Sequence, residues 1–234
     1  MTHAVFFDVD FTLIHPGPTF RGEGYQHFCA RHGIDVNPSR FEAAVAAASA
    51  VLEEVRGHIY EAALFHRYTA AIITGMGGEG PQLDACAREI YDEWAGSHHF
   101  ELYDDVPDTL REIARRGMRI GLISNSHRCL ASFGSHFELE GLISAAVSSS
   151  EHGYMKPHPS IFEAALRLLD VRAEDAVMVG DSLTHDIEGA VQVGMRGVLV
   201  RRSADLGPGR VASAAAVSAE VPVIRSLTEL PALL

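Results

Sequence analysis

Six short apolar runs, each breaking off into polar residues, constrain what this chain can fold into more than any other feature. They are VFFDV at 5–9, MRIGLIS at 118–124, LISAAVS at 142–148, DAVMVGD at 175–181, RGVLVRR at 196–202 and VPVIRSL at 221–227. Apolar runs of this length, bounded by turn residues, read as strands. Helical segments stand between them. VPDTLREIARRG is closed by Gly117, a common C-terminal stop, and PSIFEAALRLLDV begins at Pro159. Further helices are expected at about 127–137 and in THDIEGAVQVG. Apolar strands alternating with helices imply a parallel sheet covered on both faces.

One long interruption breaks the rhythm. Residues 41–73 are helical in composition, with Gly57 as their one glycine and no proline. GMGGEGP at 75–81 is a turn whose proline suits the first position of the next helix, where Leu83, Cys86, Ile90 and Trp94 recur at helical spacing. Residues from about 15 to 100 therefore read as all-helical. The expected architecture is α/β, a doubly wound parallel sheet formed by residues 1–15 and 101–234. A smaller all-helical cap domain of residues 16–100 is inserted after the first strand. An Ala/Ser-rich loop is expected at 212–216.

Composition narrows the function classes. The 234 residues are 47% hydrophobic and 21% charged, as expected of a globular chain with a sizeable core. A net charge of −12 argues against nucleic acid as a partner, since that needs clustered Lys and Arg. The pairs Arg115–Arg116 and Arg201–Arg202 read as solvated ends of a helix and a strand. No apolar stretch approaches the ~20 residues that span a bilayer, so no membrane partner is expected. MTHAVFF does not resemble a secretory leader. Cys29, Cys86 and Cys129 are odd in number and widely spaced, which reads as reduced thiols in a cytoplasmic protein. The 13 histidines, His98–His99 included, show no zinc-binding spacing and read as loop and hinge residues.

Sheets of this class bind ligands beyond the carboxyl ends of their strands. Asp8, Asp10 and Thr12 follow the first strand, and Ser124 and Asn125 follow the second. Lys156 follows the third, within EHGYMKPHP, while Asp181 and Asp186 follow the fourth. Taken singly, an aspartate pair or a Ser-Asn step commonly caps a helix, and a lysine is commonly solvated. Gathered at one end of one sheet, they form a workable chemical set.

That set resembles the haloacid dehalogenase-like (HAD) hydrolase superfamily. Its D-x-D-x-T motif stands here as DVDFT, its second strand motif as GLISN, its lysine motif as YMKPHPSIF and its last acidic motif as GDSLTHD. The resemblance implies a Rossmann-like core, a helical cap, and hydrolysis of a small phosphorylated metabolite with Mg²⁺. Asp8 would attack phosphorus and become an aspartyl phosphate. Asp10 would protonate the leaving oxygen and then deprotonate the hydrolytic water. Ser124 and Lys156 would serve catalysis by holding the phosphoryl group, with Thr12 and Asn125 among the substrate-binding residues. The implied metal ligands are the Asp8 side chain, the Asp10 carbonyl and the Asp181 side chain, with Asp186 in support.

Many relatives have Gly where this chain has Phe11, so Phe11 is expected to shape the turn or shield the site. A phosphosugar mutase of the same superfamily would share every one of these core groups. A haloacid dehalogenase would not need Asp10, because halide leaves without a proton. A receiver domain also gathers such groups, but its phosphate acceptor lies on the third strand. Arg21, His58, Tyr60, His66, Arg67 and Tyr68 are candidates for contacting the rest of the substrate. Hinges are expected at 14–20 and 97–105. Neither substrate nor oligomeric state can be read from the sequence.

Overall fold

The computed structural model describes residues 2–52, 57–202 and 221–234, so the stretch at 212–216 lies outside the described residues. In chain order, β1 (Ala4–Phe7) and β2 (Ile14–Pro16) precede α1 (Gly22–Arg31), α2 (Phe41–Leu52), α3 (Ala62–Gly75) and α4 (Leu83–Trp94). Then come β3 (Phe100–Leu102), α5 (Val106–Arg115), β4 (Arg119–Ser124), α6 (Leu130–His136), β5 (Ile143–Ser148) and α7 (Ser149–His152). The chain continues through α8 (Pro159–Leu169), β6 (Ala176–Gly180), α9 (Gly189–Gln192), β7 (Arg196–Val200) and β8 (Val223–Ile224).

Six of these strands form one parallel sheet in the order β5-β4-β1-β6-β7-β8. The first strand takes the centre because each of its residues is fully buried. Successive side chains on a strand point to opposite faces. Val5 and Phe7 accordingly pack with Leu110, Ile113 and Leu227, while Ala4 and Phe6 pack with Ile161, Phe162 and Met178. Both faces are covered, as a doubly wound α/β fold requires. Phe7 lies beside Leu122 and Val179, so Asp8, Ser124 and Asp181 all leave the sheet along one edge.

Several expectations need correction. The strand beginning at Val5 ends at Phe7 and not at Val9, because the Val9 carbonyl turns to accept from the Leu13 N–H (2.9 Å). Residues 15–100 are not wholly helical, since β2 and β3 pair antiparallel with Pro16 opposite Phe100. This ribbon joins the two expected hinges. The segment 41–73 is not one continuous helix, because Gly57 (φ 64°) and His58 (φ 54°) enter the left-handed region between α2 and α3. That break is satisfied from outside: Met155 N–H donates to the His58 carbonyl (2.7 Å) and Tyr60 N–H to the Gly153 carbonyl (3.0 Å). Pro81 stands in the turn ahead of α4, which starts at Leu83. The helix expected in THDIEGAVQVG opens as a π-helical turn, Leu183–Glu188, before α9. Among the described residues, no helix is long and apolar enough to cross a membrane.

Candidate active site

Lys156 is the hub of the site and the chain's one lysine. An ammonium has three donors, and Nζ places one on Asp8 Oδ1, one on Asp186 Oδ1 and one on the Ile123 carbonyl, each at 2.7 Å. The Asn125 side chain brackets the Lys156 backbone, with Nδ2 donating to its carbonyl (3.0 Å) and Oδ1 accepting from its N–H (2.7 Å). Asn125, expected among the substrate-binding residues, thus fixes the lysine through its amide. The Lys156–Pro157 peptide is cis.

Asp8 is held from both oxygens. While Lys156 takes Oδ1, Thr12 Oγ1 donates to Oδ2 (3.0 Å). Thr12 is fully buried and orients the carboxylate. Its carbonyl accepts from Arg202 Nη2 (2.8 Å), and Arg202 in turn pairs with Asp105 (2.9 Å) over the Tyr103 ring. The Arg201–Arg202 pair is therefore not a solvated strand end, because Arg202 braces the turn after β1. In that turn Phe11 has φ 66°, the region that favours glycine. Holding an aromatic residue there costs about 1–3 kcal/mol.

Asp186 reaches its place through the π-helical turn, where the Ser182 N–H donates to Oδ2 (2.9 Å). The approach to the sheet is close enough that a Cβ on Gly180 would stand 2.3 Å from Asp186 Oδ2. Ser124 is buried on the same edge, and its hydroxyl donates to Ser126 Oγ (2.9 Å). Asp10 stands at the rim, paired with Arg128 Nη2 (3.1 Å). Sequence reasoning missed Arg128, whose burial depends on groups distant in the chain.

Electrostatics sort the carboxylates. Burial pushes the Asp10 carboxyl above its ordinary range; Arg128 opposes this and Asp8 adds to it. Burial also raises Asp186, against the pull of Lys156 and with a further push from Asp8. For Lys156, burial works against the charge, but Asp186 and Asp8 outweigh it and the ammonium persists. Lys156 thus pairs with the carboxylates of Asp8 and Asp186, and Arg128 with that of Asp10. Carboxylate oxygens of Asp8, Asp181 and Asp186 lie within 4.8 Å of one another, all buried. A compact set of hard oxygen donors fits a divalent cation such as Mg²⁺. Glu93, His98 and His99 also bring donor atoms within 4.8 Å of one another, at the end of α4 and in the turn that follows it.

The inserted segment borders this edge at several points. The His58–Tyr60 strip is bonded to the strand-like 153–155 loop that leads into Lys156. Tyr60 and Tyr91 share a hydroxyl contact, and the Tyr91 ring stacks on His127 at 3.9 Å. His66 meets Tyr91 edge-on.

A family model described as haloacid dehalogenase-like hydrolase matches residues 2–194. The chain belongs to that family. It is 29% identical over 208 residues to human haloacid dehalogenase-like hydrolase domain-containing protein 3, covering 83% of this chain and 80% of the relative. It is 34% identical over 110 residues to the pyrophosphatase PpaX of Bacillus cereus, covering 45% of this chain and 50% of that protein. The chain thus spans about half the length of the PpaX proteins it matches. A structure of the HAD-hydrolase candidate YfnB from Bacillus subtilis, bound to magnesium, superposes with a TM-score of 0.71. At 18% identity, over 100% of this chain and 98% of that one, this likeness shows the fold alone.

Proposed function

We propose that the protein is a Mg²⁺-dependent phosphomonoester hydrolase acting on a small phosphorylated metabolite through a phosphoryl group carried on Asp8. The observation that carries this reading is the restraint of Asp8, whose two oxygens are held by Lys156 and Thr12 while Asp10 stands beside it with a raised pKa. Paired carboxylates in unlike environments allow one to attack while the other donates a proton.

In the first step an Asp8 oxygen bonds to phosphorus and the bond from phosphorus to the leaving oxygen breaks. The Asp10 proton passes to that oxygen, releasing an alcohol. In the second step water attacks phosphorus, Asp10 takes its proton, and the bond to Asp8 breaks to release orthophosphate. Lys156 keeps Asp8 placed and offsets charge on the phosphoryl oxygens, and the Ser124 hydroxyl turns from Ser126 toward the same oxygens. Asp8, Asp181 and the Asp10 carbonyl would hold the cation, with Asp186 in support. Bound Mg²⁺ supplies charge neutralisation for the transferring group.

Residues 16–100 act as a cap in this account, with Arg21, His58, Tyr60, His66, Arg67 and Tyr68 as the candidates for substrate contact. The hydrogen bonds of the 58–60 strip to the lysine loop support this placement. Free Cys29, Cys86 and Cys129 support a cytoplasmic setting. Release of p-nitrophenol from its phosphate ester, dependent on added Mg²⁺ and lost on chelation, is the expected result. Conversion of a sugar monophosphate to its isomer without free phosphate would make the protein a mutase. Absence of both activities would remove the reading.

A further inference from the structure

Arg128 carries more structure than a surface arginine could. Its side chain is fully buried, although it lies in the loop after β4 and only four positions beyond Ser124. Burying a guanidinium is costly unless its donors are matched; three different partners meet this one, while Nε is buried with no hydrogen-bond partner among the described residues. Nη2 donates to Asp10 Oδ1 (3.1 Å), Nη1 donates to the Ala95 carbonyl (3.3 Å), and Cζ lies 4.2 Å from the centre of the Phe100 ring. Asp10 belongs to the turn after β1. Ala95 ends α4, and Phe100 opens β3, the return strand of the inserted segment. Its neighbour His127 stacks on Tyr91 of α4. One dipeptide therefore touches both the proton donor and the exit of the insertion.

We propose that Arg128 is a positioning residue that sets the Asp10 carboxyl in register with the docking of residues 94–100. The proposal rests on the phosphatase reading, in which Asp10 moves the proton. A donor on Oδ1 directs an acidic proton to Oδ2, so the guanidinium chooses which oxygen faces the leaving group. The same guanidinium stays in place through Ala95 and Phe100. When residues 94–100 undock, Arg128 loses two of its three partners, and the Asp10 carboxyl loses its orientation. Proton donation is thereby tied to the arrangement that closes the insertion over the sheet edge.

Two measurements test the coupling separately from the activity. Trp94 is the chain's one tryptophan and packs against Phe100 (4.9 Å between centroids) and Phe20 (4.6 Å). Its fluorescence therefore reports docking without any substrate. Arg128→Gln should red-shift Trp94 emission and increase its quenching by acrylamide, with Arg128→Lys intermediate. Asp10→Asn should move the same signal in the same direction, since coupling is reciprocal. Unchanged Trp94 fluorescence in Arg128→Gln, with the far-ultraviolet circular dichroism of wild type, overturns the coupling whether or not the protein is a phosphatase.

The second measurement compares kcat/KM for alkyl phosphates with that for p-nitrophenyl phosphate. Arg128→Gln should lose roughly 10-fold to 100-fold more on alkyl esters, within the span of general acid catalysis. Arg128→Lys should recover part of the loss. In the Asp10→Asn background, Arg128→Gln should add less than about 3-fold, because both changes remove one interaction. Equal losses on both esters, or full additivity with Asp10→Asn, contradict positioning through Asp10. Wild-type protein inactive on every phosphate ester contradicts the phosphatase reading instead, and the Trp94 result still decides the coupling.

Discussion

Asp8 and Lys156 lie 148 positions apart in the chain and meet at 2.7 Å in the buried centre of the sheet edge. The contact joins the end of the first strand to the loop ahead of α8. Its formation therefore requires β5, β4 and β1 to be paired.

Removal of the ammonium tests how far the site depends on it. Lys156→Met leaves Asp8 and Asp186 buried without their shared cation, which should cost about 3–5 kcal/mol of stability. Added Mg²⁺ should restore part of the loss, because an ion that binds only the native state stabilises it. Denaturant midpoints with and without Mg²⁺ check both statements. A loss below about 1 kcal/mol would show that the carboxylates do not need the lysine.

In the proposed mechanism, Asp10→Asn removes the proton donor with almost no change of shape. Esters with poor leaving groups should slow by roughly 10²-fold or more, and activated aryl esters much less. A linear free-energy comparison across leaving groups measures the difference. Equal slowing on both kinds of ester would take the acid role from Asp10.

Gly180→Ala places a methyl group against Asp186, whose side-chain atoms would then stand 2.3–2.5 Å away. Asp186 must yield, and its bond to Lys156 yields with it. Activity should fall at least ~10-fold, with destabilisation of about 1–3 kcal/mol from overpacking. Wild-type turnover in this variant would show that the position of Asp186 does not matter to the reaction.

Asp105 anchors the brace behind the turn after β1, accepting from Arg202, Ser226 Oγ and the Leu227 N–H. Burial pushes its carboxyl up, but those donors outweigh burial and hold it below the usual range. A depressed carboxyl contributes stability above its unfolded pKa of about 3.9 and loses it as pH falls through the folded value. Asp105→Asn should therefore cost about 1–3 kcal/mol near pH 7 and less below about pH 4. Unfolding free energies of the two proteins across that range check the sign, and a constant gap would contradict it.

Much of the site was legible because strand ends have a local signature. An apolar run that stops at Asp8, Ser124 or Asp181 states both where the strand ends and what chemistry stands there. The strand order placed those ends on one edge. Other features carry no local signature. Gly57 alone did not reveal a break in an alanine-rich segment, because the bonds that stabilise the break come from residues 153–155. The three-residue strands β2 and β3 are too short to show a period. Arg202 read as a strand-end cation and Arg128 was not singled out, and only their distant partners Asp105 and Asp10 give them roles. A lysine that occurs once in the chain was a signal in plain view, since arginine supplies every other basic side chain apart from histidine.

The central claim is that Asp8 carries the phosphoryl group. Rapid acid quench during turnover, followed by peptide mass spectrometry, tests it most directly. The account predicts one added phosphoryl group on the peptide containing Asp8, absent in Asp8→Asn and in samples lacking Mg²⁺. Steady release of phosphate from the same sample with no label on Asp8 would contradict it.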